Sequence, residues 1–228
     1  MFYASRLFPE IAMSKITIDF VSDVACPWCA VGLGGLLAAI ERVRDDAEVE
    51  LRFQPFELNP DMPGGGQNTI ERLMAKYGYS REQVQANRKV ISERAAAVGM
   101  RMRMADDNRS FNTFDAHRLL YWAGLEGQGS QTALKKRLLE TYHYDNQDTS
   151  DVEVLVQAAA DAGLDAAEAR AVLASGRYTE EVRKEEAEWR DRGITSVPSV
   201  ILNGKYLVSG GQPPDVFEQA LRQVAREG

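Results

Sequence analysis

Cys26 and Cys29 are the only two cysteines in a chain of 228 residues, with Pro27 and Trp28 between them. The thiolate is the nucleophilic form of cysteine, and positive surroundings favour it. A second thiol one helical turn on can attack a mixed disulfide and release its other half. The spacing therefore suits thiol–disulfide exchange if the first cysteine stands at a helix N-terminus. There, unpaired backbone N–H groups and the positive end of the helix dipole face the sulfur. Pro27 fits such a start, because the first helical position has no backbone N–H bond to lose.

Two other readings compete. A structural zinc site needs about four ligands. The chain has no third cysteine, and its only histidines, His117 and His143, lie far from the pair. No metal or organic cofactor is therefore expected. A purely structural pair is the bland alternative, but two close cysteines at an exposed helix start would make a poor staple. Redox or thiol chemistry is the reading carried forward.

The elements that position the pair follow from the pattern around it. KITIDFVSD, residues 15–23, reads as a strand with Ile16, Ile18 and Phe20 on one face and Val21 on the other. From Cys26 onward Leu33, Leu36, Leu37, Ile40 and Val43 recur at helical spacing. Gly32, Gly34 and Gly35 weaken this helix, each by up to about 1 kcal/mol relative to alanine. They suit either close approach of another backbone or simple tolerance. Residues 49–58 alternate as a second strand, parallel to the first because a helix crosses between them. NPDMPGGGQN follows as a loop rich in breakers.

Residues 69–192 read as helices. Ser80 with Gln83, and Asp165 with Glu168, read as capping boxes. After Gly193 the pattern returns to strands. ITSVPSVILNGKYLVSGG reads as two antiparallel strands joined at Asn203-Gly204. A final amphipathic helix begins at Pro213 and Pro214. The order is β-α-β, a helical insertion, then β-β-α. The expected division is a leader over residues 1–13, with Met13 a candidate start, a core of 14–68 and 193–228, and an insertion of 69–192.

This order resembles the thioredoxin fold, and the insertion narrows the resemblance to the DsbA-like group. Within it the chain is similar to the cytoplasmic FrnE-type oxidoreductases. The segments that carry the likeness are IDFVSDVACPWC, LRFQPFELNPDMP, NTFDAHRLLYWA and GITSVPSVILNGKYLVSGGQPP. They spread from residue 16 to about 214. The expected fold class is thus α/β, a thioredoxin fold with a large all-helical insertion.

The resemblance implies roles. Cys26 matches the exposed attacking cysteine, and Cys29 the buried resolving one. Pro198 matches the cis-proline that faces the motif, which would turn the backbone of Val197 toward the site. A substrate strand could then pair with Val197 while its sulfur lies over Cys26. Substrates would be disulfide-containing proteins or small disulfides, with glutathione a candidate co-substrate. In the best-known DsbA proteins a histidine precedes the second cysteine. Here Trp28 does, so a less strongly oxidising disulfide is expected. Many relatives also carry basic residues where this helix reads VGLGGLL, and that source of thiolate stabilisation is missing.

Among other residues, Pro27 and Trp28 are expected to contact substrate, Trp28 as an exposed platform. His117 reads as a core or interface residue, and His143 as a surface one. Asn112 reads as a helix cap. The acidic stretch 180–191 reads as a solvated face with Arg183 and Lys184 as partners. Met100, Met102 and Met104 read as ordinary packing.

Composition limits the alternatives. A net charge of −7 argues against a nucleic-acid surface. No apolar run reaches membrane-spanning length, and the first residues lack a secretory pattern. A cytoplasmic protein is expected, in which the glutathione pool keeps the dithiol mainly reduced. The runner-up function is a glutathione-dependent isomerase or transferase, resembling 2-hydroxychromene-2-carboxylate isomerases and kappa-class glutathione transferases. Those place serine, not a cysteine pair, near the glutathione sulfur. A third reading is a chaperone-like module whose dithiol is only a switch.

Overall fold

The computed structural model describes residues 13–227. Of the leader expected over residues 1–13, all but Met13 lies outside the described residues. Strand β1, Ser14–Ser22, pairs in parallel with β2, Ala47–Pro55, through helix α1, Pro27–Val43. Strand β5, Ser199–Leu202, lies antiparallel on the other side of β1, and β6, Tyr206–Ser209, completes the sheet in the order β2-β1-β5-β6. Helix α9, Pro214–Glu227, closes the chain.

The alternation in β1 divides the core. Ile16, Ile18 and Phe20 join Leu33 and Leu36 of α1 and Phe217 and Leu221 of α9 in one cluster. Val21 faces the opposite way and packs with Phe56, Trp189 and Ile201. The turn between β5 and β6 uses Asn203 and Gly204 at positive φ, closed by Lys205 N donating to the Leu202 carbonyl at 3.0 Å. The Asn203 side chain then accepts the Thr17 N–H at 2.8 Å and ties the hairpin to β1.

Between β2 and β5 lie α2, Thr69–Tyr77; α3, Arg81–Ala97; α4, Phe114–Leu125; α5, Gln128–Glu140; α6, Val152–Asp161; α7, Ala166–Ser175; and α8, Thr179–Asp191. Leu119, Leu134, Leu138, Leu155 and Val172 share a separate core there. The segment is not all helical. Strands β3, Gln67–Asn68, and β4, Arg109–Ser110, form a small antiparallel ribbon. Gly66 permits it, because a Cβ there would lie 2.2 Å from the Ser110 carbonyl oxygen. A two-residue strand leaves no period to read, so the ribbon is silent in the sequence. The Ser80–Gln83 capping box is complete. Asp165 accepts the Glu168 N–H, but Glu168 turns instead to Arg177, so only half of the second box forms.

The α1 glycines are contact points. A Cβ on Gly35 would lie 2.5 Å from the Gln212 carbonyl oxygen, and one on Gly34 would lie 2.8 Å from that of Val98. Gly32 meets Pro198 and Gly211. Close approach, not tolerance, explains all three. No described helix is long and apolar enough to cross a membrane.

Candidate active site

Helix α1 begins at the dithiol. Cys26 is its N-cap in extended conformation, and Pro27 occupies the first turn. The chain reaches this point directly from the central strand β1, so the cysteine backbone is anchored by the sheet. Cys29 is fully buried, one turn behind. The peptide bond between Val197 and Pro198 is cis and lies opposite the pair. The Cys26 thiol donates to the Val197 carbonyl at 3.6 Å. All six sequence-derived site residues, Cys26, Pro27, Trp28, Cys29, Val197 and Pro198, therefore meet in one place.

Two of them are less accessible than expected. Cys26 is only 4% exposed. Val197 lies against its sulfur, a neighbour from the far end of the chain. Trp28 is half-buried rather than an exposed platform. A Cβ on Gly211 would lie 3.0 Å from its ring, the Arg94 guanidinium lies 5.5 Å from its centroid, and Met100, Met102 and Met104 pack against the same cluster.

Beneath the dithiol lies a buried polar group. The Asp23 carboxylate accepts the Ala25 N–H at 3.0 Å, the Leu58 N–H at 2.7 Å and the Thr113 hydroxyl at 2.8 Å. His117 Nε2 stands 3.5 Å from it, without hydrogen-bond alignment. Burial opposes the Asp23 charge, but His117 and the backbone donors outweigh it and hold the carboxyl below its ordinary range. Burial, then the neighbouring Cys26 sulfur, push the Cys29 thiol well above its ordinary value. Lys135 pulls in the other direction.

Lys135 is the residue that sequence reading missed. It is 0% exposed, and its Nζ has no hydrogen-bond partner among the described residues. Burial pulls the Lys135 pKa below its ordinary value, opposed by the nearby Cys29, Asp23 and Cys26. One signal was available. Gln131, Leu134, Lys135, Leu138 and Leu139 form the buried stripe of α5, so the helical period places this lysine inward.

His117 is buried, as expected of a core residue. His143 is not at the surface; it is 8% exposed. A π-helical turn over Thr141–Asp145 ends α5 and carries it inward against the Val24 backbone. Burial lowers its pKa to about 4, so it is neutral near pH 7. The acidic stretch is not wholly solvated either. Glu186 and Glu57 are buried, and Arg183 donates to both while covering the Phe114 ring at 3.7 Å. Asn112 accepts the Phe114 N–H just before α4, although Thr113 is the N-cap residue.

A cavity of about 380 Å³ opens beside Ala30, the residue after Cys29. Met100 and Leu139 form its apolar side, and Arg101, Lys136 and Glu140 its charged side. Its volume is that of a small-molecule site. Among the described residues, no group of three or more His, Cys, Asp or Glu side chains is placed to hold a metal.

Comparison with known proteins agrees with this geometry. Residues 17–222 match the family model of the DSBA-like thioredoxin domain. The chain is 40% identical to a probable DsbA oxidoreductase from Streptomyces coelicolor, covering 93% of this chain and 91% of that one, with a TM-score of 0.85. It is 25% identical to YwbO of Bacillus subtilis, over 90% of this chain and 96% of that protein. The cytosolic disulfide reductase DsbM from Pseudomonas aeruginosa, solved with glutathione, is similar in fold. Its identity is 16%, the coverage is 92% and 99%, and the TM-score is 0.62.

Proposed function

This chain belongs to the DsbA-like thioredoxin-domain family and is a thiol–disulfide oxidoreductase; on that premise we propose that Cys26 attacks and Cys29 resolves, in a cytoplasmic enzyme of the FrnE type. The observation that carries this reading is the Cys26 sulfur at a helix cap, 3.6 Å from the Val197 carbonyl, with Cys29 buried one turn behind.

The Cys26 thiolate attacks one sulfur of a substrate disulfide. A new S–S bond forms, and the electron pair of the broken bond leaves on the other substrate sulfur, which takes a proton. Cys29 then attacks the Cys26 sulfur, and the second substrate sulfur leaves as a thiol. The substrate is reduced and the dithiol oxidised. Val197 offers its backbone to an incoming peptide strand once the Cys26 thiol gives up its carbonyl. Pro198, Pro27 and Trp28 frame the sulfur.

Proteins and small disulfides both fit this reading. Glutathione is the candidate donor for the return to the dithiol, supported by the glutathione-bound fold relative. In a reducing cytoplasm net flow would run toward substrate reduction or isomerisation.

The test is insulin disulfide reduction with dithiothreitol, run beside Cys26→Ser. Turnover that vanishes in the variant is the expected result. Turnover no faster than dithiothreitol alone would move the assignment to the glutathione-dependent isomerase, and turnover surviving in the variant would remove Cys26 as nucleophile.

A further inference from the structure

Of the arginines on α3 and the strap that follows it, Arg94 alone makes no ion pair among the described residues. Arg81 and Arg88 face Asp106, Arg101 pairs with Glu140, and Arg103 pairs with Asp107. Acidic side chains outnumber basic ones 34 to 27 in this chain, so a shortage of carboxylates does not explain it. Glu93, its neighbour in sequence, lines a cleft with Lys89 and Asp106 instead. Arg94 is exposed, in the last turn of α3. Its guanidinium lies over the Trp28 ring, 5.5 Å from the centroid. Ile91 and Ala95, on the same face of α3, belong to the cluster against which Trp28 packs. Helix α1 itself carries no charged side chain before Glu41. The cation beside the dithiol motif is therefore brought by α3.

Resting on the oxidoreductase reading above, we infer that Arg94 selects disulfides that carry a carboxylate beside the reacting sulfur. A guanidinium stacked on an aromatic ring uses its face, which leaves its N–H edge open to a two-pronged bond with a carboxylate. Trp28 is two residues from Cys26, so their Cα atoms are at most about 7.6 Å apart. An extended substrate advances about 3.3 Å per residue. A carboxylate one or two residues from a sulfur held over Cys26 covers that interval and meets the guanidinium above Trp28. Oxidised glutathione and a protein disulfide flanked by Asp or Glu both present this chemistry. The net charge of −7 repels such substrates from the molecule as a whole, and a cation beside the attacking sulfur offsets that repulsion where it matters.

The covalent steps stay as given above. Arg94 forms no bond to sulfur and moves no proton; it decides which disulfide docks. A merely covering role over Trp28 has a different consequence. Loss of the cover would loosen Trp28 and slow every disulfide alike, whatever its charge. A selecting role changes the ratio between anionic and neutral disulfides, and it fades as salt screens charge beyond about 10 Å at 0.1 M.

The experiment reacts the reduced protein with 3,3′-dithiodipropionate, 2-hydroxyethyl disulfide and cystamine, followed as loss of protein thiol. These carry carboxylate, hydroxyl and ammonium groups at the same remove from sulfur. In Arg94→Gln the carboxylate-to-hydroxyl rate ratio should fall about tenfold at low salt. In Arg94→Glu cystamine should gain on the dicarboxylate further still. Added salt should lower the ratio in the parent protein and leave it level in Arg94→Gln. Two more substrates identify the source of the carboxylate: oxidised glutathione, and a peptide disulfide flanked by Glu set against the same peptide flanked by Lys. A loss in Arg94→Gln confined to glutathione assigns small disulfides, and loss of a Glu-over-Lys preference assigns acid-flanked protein disulfides. A carboxylate-to-hydroxyl ratio unchanged in both variants would overturn the proposal, as would equal slowing of all three small disulfides. A parent protein that keeps its thiols against all three would overturn the oxidoreductase reading itself, and the selectivity with it.

Discussion

The Cys26 thiol donates to the carbonyl of Val197, 3.6 Å away across 171 positions of sequence. The bond links the first helix cap to the turn before β5, so the positions of Cys26 and Val197, the nucleophile and substrate shelf proposed above, depend on the pairing of β1 with β5. It also accounts for the low exposure of Cys26. In the proposed mechanism, substrate displaces the Val197 carbonyl from the sulfur before attack.

This relationship predicts asymmetric cysteine variants. Cys29→Ser should accumulate a mixed disulfide with substrate, because no second thiol is present to resolve it. Cys26→Ser should give none, since Cys29 is fully buried. Mass spectrometry after mixing with oxidised glutathione would detect an adduct on the first variant alone. An adduct on Cys29 in the second would contradict the assignment.

The glycines of α1 should respond oppositely to a glycine elsewhere. Gly35→Ala places a Cβ 2.5 Å from the Gln212 carbonyl oxygen and should cost about 1–3 kcal/mol by overpacking. Gly129, in α5, has nothing within 4 Å of the same position. Gly129→Ala should stabilise by about 0.5–1 kcal/mol through helix propensity. Urea denaturation of both variants checks the contrast.

His143 should make the fold acid-sensitive. Its pKa falls from 6.5 to about 4 on burial, so the unfolded chain binds more protons between those values. Its contribution is complete above pH 6.5 and is lost as the pH falls through 4. Glu185 acts in the opposite sense. Its folded pKa of about 7 lies above the ordinary 4.5, so the stability it adds is present below pH 4.5 and is lost as the pH rises through 7. The two offset each other in the parent protein. His143→Gln should gain roughly 3 kcal/mol relative to the parent between pH 7 and pH 4, read from unfolding curves at each pH.

Arg183 should be worth more than an exposed ion pair. It donates to two buried carboxylates, Glu57 and Glu186. Arg183→Met leaves both unpaired and should cost about 3 kcal/mol at pH 7.5. The cost should shrink at pH 5, because burial already raises the Glu57 pKa and a protonated Glu57 needs no cation. A cost independent of pH would place the effect in lost packing over Phe114 instead.

The sequence by itself determined what local pattern encodes. The alternation of Ile16, Ile18 and Phe20 placed a strand before Cys26, and Pro27 placed a helix start after it. Asn203-Gly204 marked a hairpin because both residues tolerate positive φ. The crossover by α1 required β1 and β2 to be parallel. These features depend on neighbours within a few residues. Tertiary structure decided which side chains lie under the dithiol. Lys135 sits on an apolar stripe, but the stripe says only that it faces inward, not that Cys29 and Asp23 lie there. His143 stands in a polar stretch, and its burial follows from a π turn that packs against Val24. The glycines of α1 are explained only by Val98, Gln212 and Gly211 arriving from distant segments. Burial and electrostatic surroundings are sums over non-local neighbours, and a single sequence carries no record of who those neighbours are.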